Sequence, residues 1–142
     1  MNPIKERLLE YEEDFKLLGD DNAIVEYIIE LGKDNEALPS EDKNDDTLVK
    51  ECSSKAWLIS ECKDNKLYIK AEGESALAKG MIAFLLDLYS GRDVDDILEF
   101  DPKELYSVGL DRLLSPVRQQ GLEAFLGYLY RFAKECKEGK NG

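Results

Sequence analysis

The feature that most constrains this sequence is the segment 76–89, which is apolar on almost every side. A helix with this composition is buried, because a helix at a protein surface needs a polar face toward water. Ser75 can cap its N-terminus and Gly91 can end it. Other elements must therefore cover this helix from several directions. With 142 residues the chain can do so within one domain, and we expect a single domain over residues 1–142.

Two amphipathic helices are predicted ahead of this segment. The first begins at Asn2 and runs to about residue 18, and its apolar face consists of Ile4, Leu8, Tyr11, Phe15 and Leu18. The second covers residues 23–31 and is closed by Gly32. Residues 33–47 are polar and acidic, which predicts an exposed connection within the domain.

A small sheet is predicted between these helices and the buried one. Residues 56–60 are apolar and favour a strand, and the polar residues 63–66 favour a turn. Residues 67–71 alternate between apolar and polar, so Leu67, Ile69 and Ala71 are expected to face the core. Residues 48–49 are the candidate third strand. The predicted fold class is α+β, with a small antiparallel three-stranded sheet packed against helices.

Three further helices are predicted after the buried one. They cover residues 94–100, residues 101–109 and a long final stretch that begins at Ser115. The apolar face of the final helix includes Val117, Leu122, Phe125, Leu129 and Phe132. The C-terminal tail, about residues 138–142, is expected to be disordered.

The charge of the chain excludes several classes of partner. The net charge is −12, and residues 1–47 hold 15 acidic and 5 basic residues, against 16 and 14 in the rest. Nucleic acids and anionic membranes are bound through clustered Lys and Arg, so neither is an expected partner. The acidic N-terminal part could attract a basic protein, or it could serve solubility alone.

The compartment can be inferred from the N-terminus and the cysteines. The first residues run directly into a charged amphipathic pattern, unlike a signal peptide, and the longest apolar run, near residues 81–86, is too short to cross a bilayer. We therefore expect a cytoplasmic protein whose three cysteines are reduced thiols.

Few residues could carry chemistry. The chain contains no histidine, which removes Ser-His and Cys-His nucleophile pairs, and it has no phosphate-binding glycine motif. Cys52 precedes two serines and a predicted strand, so a loop could present its thiol, although a lone cysteine is more often a small buried residue. Cys62 and Cys136 have no CxxC-type spacing. We interpret them as incidental thiols and expect neither a zinc site nor a dithiol redox pair.

Arg118 is the second candidate for function. It lies in the first turn of the final helix, where a cation meets the positive end of the helix dipole. Two interpretations remain open. Arg118 could pair with Glu123 or another acid, or it could be placed to meet an anion such as a thiolate or a partner's carboxylate.

Five stretches of the sequence resemble the SufE family in order and spacing over about residues 20–130. They are residues 27–32 (YIIELG), 48–57 with its Cys-x-Ser-x-Ala-Trp core, 79–83 with 88–91, 95–101, and 114–122 (LSPVRQQGL). Any one of these matches is weak, but five in register are specific.

The resemblance implies a sulfur acceptor of iron–sulfur cluster assembly. In such a protein the active cysteine, here Cys52, takes persulfide sulfur from a PLP-dependent SufS-type cysteine desulfurase, stimulates that enzyme and passes the sulfur to a SufB-containing scaffold. The chain itself would bind no cofactor and no metal, would act as a carrier more than as an enzyme, and would be a monomer or weak homodimer. The implied fold is the SufE/IscU-like α+β fold, with the cysteine packed into a shallow apolar pocket and Arg118 expected near it.

The sequence departs from the family pattern at several positions. Glu51 replaces a glycine before the cysteine, Leu113 stands where histidine is common, and Asn22-Ala23 stands where a tryptophan is usual. Ser53 and Lys55 replace frequent glutamines. The alternative function is an IscU-like scaffold or metallochaperone that binds iron or zinc through its cysteines.

Overall fold

The computed structural model describes residues 1–50 and 54–139. Its helices are α1 (Pro3–Leu18), α2 (Asp21–Leu31), α3 (Ala76–Tyr89), α4 (Val94–Glu99), α5 (Leu110–Leu113) and α6 (Pro116–Lys137). Its strands are β1 (Ala56–Lys63), β2 (Lys66–Gly73) and β3 (Arg92–Asp93), and short 3₁₀ turns cover Gly32–Asp34, Ser40–Asp42 and Pro102–Val108. Helices followed by a sheet and more helices confirm the predicted α+β class. None of the helices in the described ranges has both the length and the apolar character needed to cross a membrane.

The three strands form one antiparallel sheet in the order β1-β2-β3. Asp64 and Asn65 join β1 to β2 with positive φ angles of 53° and 63°, which fits the twist of a tight hairpin. The predicted third strand at residues 48–49 is wrong, because Leu48 makes only an isolated bridge to Trp57. The third strand is β3, where the chain leaving α3 returns to the free edge of β2.

Helix α3 lies at the centre of the molecule, as its composition predicts. Phe84, Leu88 and Tyr89 are completely buried, and the ring of Phe84 packs edge-on against Tyr11 of α1 with centroids 4.7 Å apart. The backbone of α3 is in direct contact with the backbone of α2. A Cβ atom at Gly80 would lie 2.2 Å from the carbonyl oxygen of Ile28, so only glycine permits this approach.

Several predicted details need correction. Leu18 is 38% exposed and Val117 is 52% exposed, because both lie at helix ends, where the apolar face runs past the edge of the core. Helix α2 starts two residues before the predicted position, because the side chain of Asp20 accepts a hydrogen bond from Asn22 and caps it. The predicted helix over 101–109 is a 3₁₀ turn.

The acidic segment 33–47 is predicted to be an exposed connection, but part of it is attached to the sheet. Leu38 is buried and its N–H donates to Oε1 of Glu72 at 2.8 Å. Lys43 Nζ lies 3.2 Å from Oε2 of the same carboxylate. The hydrogen bond from Leu38, and then the charge of Lys43, lower the pKa of Glu72.

Candidate functional site

An apolar pocket opens where α3, the start of β1 and the first turns of α6 meet. The pocket is shallow, and the empty space of about 540 Å³ above its lining includes space that is open to solvent. The residues that line it are Ser54, Ala56, Leu77, Ala78, Met81, Ile82, Leu85, Leu114, Val117, Arg118, Gly121, Leu122 and Phe125. Arg118 is the only charged side chain among these described residues. The pocket therefore offers a low-polarity surface with one cation at its edge.

Arg118 is held by the N-terminus of α3. Its Nη1 donates a hydrogen bond to Oγ of Ser75 at 3.1 Å, and the same oxygen accepts from the N–H of Ala78 as the cap of α3. Of the two open interpretations, pairing with Glu123 is not observed, and Glu123 instead accepts a hydrogen bond from the Tyr106 hydroxyl at 3.3 Å. Among residues 1–50 and 54–139, none of the ion pairs includes Arg118.

The contact with Ser75 could not be read from the sequence. Ser75 is recognisable as a helix cap, but it is 43 positions from Arg118 in the chain. Ser115 caps α6 in the same way, accepting from the N–H of Arg118 at 3.3 Å. Two serine caps therefore fix the arginine, one through its backbone and one through its side chain.

Cys52, the predicted acceptor, lies outside the described residues, together with Glu51 and Ser53. The residues on either side of it contact β1 or the pocket. Before it, Val49 is buried and its N–H donates to the carbonyl oxygen of Ala56 at 2.8 Å. After it, Ser54 lines the apolar pocket. Both flanks of the predicted acceptor thus lie at the start of β1.

Cys62 and Cys136 differ from the prediction of reduced, incidental thiols. The structure joins them by a disulfide with Cα atoms 5.6 Å apart. The sequence did not reveal the pair because 74 positions separate the two cysteines. They meet because β1 continues to Lys63, beyond its predicted end, and α6 reaches Lys137. Within the described ranges, no group of three or more His, Cys, Asp or Glu side chains is arranged to hold a metal ion.

Comparison with known proteins identifies relatives of the whole fold. The chain is 27% identical over 119 residues to an uncharacterised SufE-like protein of Rhizobium meliloti, an alignment that covers 80% of this chain and 85% of the relative. A solution structure of a hypothetical protein from Thermus thermophilus matches with a TM-score of 0.77 and 18% identity, covering 97% of this chain and 99% of that one. That likeness concerns the fold alone.

The family model for the SufE domain, described as an Fe–S metabolism associated domain, matches residues 9–133. This range contains every element from the middle of α1 to most of α6, including the apolar pocket and Arg118. It also contains the Cys-x-Ser-x-Ala-Trp motif that begins at Cys52. The match supports a role in the biogenesis of iron–sulfur clusters, and the chain belongs to the SufE family.

Proposed function

We propose that this protein is a sulfur carrier in which Cys52 accepts persulfide sulfur from a SufS-type cysteine desulfurase. The Cys52 thiolate attacks the outer sulfur of the desulfurase's cysteine persulfide. The sulfur–sulfur bond of that persulfide breaks, the desulfurase cysteine leaves as a thiolate, and Cys52 becomes the new persulfide. No electrons enter or leave, so the step needs neither a redox cofactor nor a metal in this chain.

The observation that carries this proposal is the position of the apolar pocket relative to the acceptor in the chain. Ser54 lines the pocket and is separated from Cys52 by a single residue. Two peptide units span at most about 7 Å, which keeps the thiol within reach of the pocket. A persulfide is discharged by exchange with small soluble thiols, so a low-polarity pocket beside the acceptor would protect the loaded sulfur.

Arg118 is proposed to support the thiolate or the contact with the desulfurase. A guanidinium beside a cysteine favours the charged form of the sulfur. Among residues 1–50 and 54–139, the hydrogen-bond partner of the guanidinium is Ser75 Oγ, which binds Nη1, so the other donors can serve an anion. The carrier would stimulate the desulfurase by removing its persulfide and would deliver the sulfur to a SufB-containing scaffold.

The proposal is tested by mass spectrometry after incubation with a SufS-type desulfurase and cysteine. The wild-type protein should gain one sulfur, and Cys52→Ala should gain none. The double variant Cys62→Ala/Cys136→Ala is the matched control and should be loaded like the wild type. Desulfurase turnover should rise with the wild type and the double variant only. An unmodified wild-type protein with unchanged turnover would disprove the carrier function.

A metal titration distinguishes the proposed carrier from an IscU-like metal-binding scaffold. Such a site would use sulfur ligands, but Cys62 and Cys136 are bonded to each other at the end of β1 remote from the pocket. Titration with zinc or ferrous iron is therefore expected to show no tight stoichiometric binding. Tight binding that is lost when all three cysteines are replaced would favour the scaffold.

A further inference from the structure

Cys62 and Cys136 lie at the opposite end of β1 from the apolar pocket. Strand β1 begins at Ala56, which lines the pocket, and reaches Cys62 six residues later. At about 3.3 Å per residue the two positions are about 20 Å apart. Helix α6 runs in the same sense, from Arg118 at the pocket to Cys136 in its last turn. The two cysteines therefore form a thiol site separate from the one proposed for sulfur transfer.

We propose that Cys62 and Cys136 are a redox-active pair that a low-molecular-weight disulfide oxidises and a low-molecular-weight thiol reduces. In the oxidising direction the Cys62 thiolate attacks the small disulfide, forms a mixed disulfide and releases one small thiol. The Cys136 thiolate then attacks the Cys62 sulfur, forms the internal disulfide and releases the second small thiol. Two protein thiols are oxidised and one small disulfide is reduced to two thiols, so atoms and electrons balance.

The different burial of the two cysteines assigns these roles. Cys62 is only partly buried and lies on β1, an outer strand of the sheet, where a small disulfide can approach it. Cys136 is 5% exposed and is enclosed between α6 and the sheet. Attack by or on an external sulfur requires access, so Cys62 reacts with the small molecule and Cys136 completes the exchange.

The surroundings also accommodate the reduced form. The Sγ atom of Cys136 lies 3.9 Å from the carbonyl oxygen of Lys66, which can accept a weak hydrogen bond from the thiol after reduction. The backbone on both sides is fixed independently of the disulfide, by the pairing of Cys62 with Leu67 in the sheet and by the position of Cys136 within helix α6. Breaking the bond therefore leaves two thiols close together and able to reform it.

The test uses oxidised glutathione on four proteins that all carry Cys52→Ala, so that only this pair reacts. The parent protein should lose two hydrogens and keep no glutathione. Adding Cys136→Ser should trap one glutathione on Cys62, because the second step is missing. Adding Cys62→Ser should leave the buried Cys136 largely unmodified. Its rate of glutathionylation should be at least tenfold lower than that of Cys62 in the Cys136→Ser variant. The protein without cysteines controls for non-covalent binding.

Thermal unfolding gives a second readout. The oxidised parent should melt on the order of 10 °C above its reduced form, and the difference should vanish in each single-cysteine variant. The proposal is overturned if the parent keeps both thiols after treatment, or if it accumulates a glutathione on each cysteine. It is also overturned if oxidised glutathione modifies Cys136 in the Cys62→Ser variant as fast as it modifies Cys62 in the Cys136→Ser variant.

Discussion

The two faces of α3 have the same apolar character but are packed in different ways. On the closed face, Gly80 touches the backbone of α2 and Phe84 fills the space against α1. On the open face, Leu77 and Met81 border the apolar pocket, which α6 covers only in part. One face has no room for an added methyl group, while the other keeps empty space next to the start of β1.

This difference links the packing of α3 to the proposed sulfur-transfer site. Backbone contact at Gly80 fixes α3 against α2, and the N-terminal cap of α3 then has a defined position from which Ser75 holds Arg118. The packing of the closed face thus sets the geometry of the open face. Substitutions on the closed face should mainly affect folding, and those on the open face should mainly affect the proposed sulfur transfer.

The largest expected effect is that of Gly80→Ala. The added Cβ would lie 2.2 Å from the Ile28 carbonyl oxygen, and neither helix backbone can move without disturbing the core. We expect destabilisation beyond the ~3 kcal/mol that overpacking typically costs, measured by urea unfolding. Gly127→Ala in α6 is the control, because its Cβ meets nothing within 4 Å, and it should stabilise by about 0.5–1 kcal/mol. Equal stability of Gly80→Ala and wild type would refute the close contact.

A matched pair of leucine truncations compares the packed core with the pocket directly. Leu88 is completely buried away from the pocket, and Leu88→Ala should cost about 3–4 kcal/mol. Leu77 is partly buried and already borders empty space, so Leu77→Ala should cost less than about 2 kcal/mol. Chemical denaturation of both variants measures the difference. If the two losses are equal, the open face is packed as tightly as the closed one.

The attachment of the acidic segment 33–47 to the sheet should depend on the charge of Glu72. Since its pKa is lower in the folded protein, its stabilising effect is fully present above the ordinary value of 4.5 and is lost as the pH falls through the folded value. Glu72→Gln should therefore lose about 1–2 kcal/mol of stability at neutral pH, and this loss should shrink as the pH falls below 4.5. Unfolding as a function of pH measures this, with the exposed Glu36→Gln as control. A difference independent of pH would contradict it.

The smallest effect on stability is expected from substitution of Ser75, the cap of α3. The rate of the proposed sulfur transfer should change more than the stability does. Ser75→Gly removes the acceptor for Arg118 but costs a helix cap only a few tenths of a kcal/mol. The rate of sulfur transfer should fall roughly two- to tenfold, which corresponds to a hydrogen bond worth about 0.5–1.5 kcal/mol. Ser75→Thr keeps the hydroxyl and should restore the rate. Unchanged transfer by Ser75→Gly would separate this contact from function.

Much of the fold follows from local sequence patterns. The cap at Asn2, the turn at residues 63–66 and the alternation through Leu67 and Ile69 specify their elements through contacts between residues close in the chain. The predicted third strand is wrong because the pairing of β3 with β2 depends on how the chain leaves α3. Two-residue strands carry too little periodicity to be recognised without that context.

The candidate site divides in the same way. Residue type, local context and family resemblance point to Cys52 and Arg118, and the structure adds the pocket and the contact between Arg118 and Ser75. The pairing of Cys62 with Cys136 cannot be predicted from local sequence, because the two cysteines are 74 positions apart.

The sequence by itself determined that a buried central helix is surrounded by a small sheet and amphipathic helices, because burial and helix capping depend on composition and on neighbours within a few residues. Only the tertiary structure decided which face of that helix is closed and which cysteines meet. Both depend on contacts between segments far apart in the chain, whose distance is fixed when the whole core packs together.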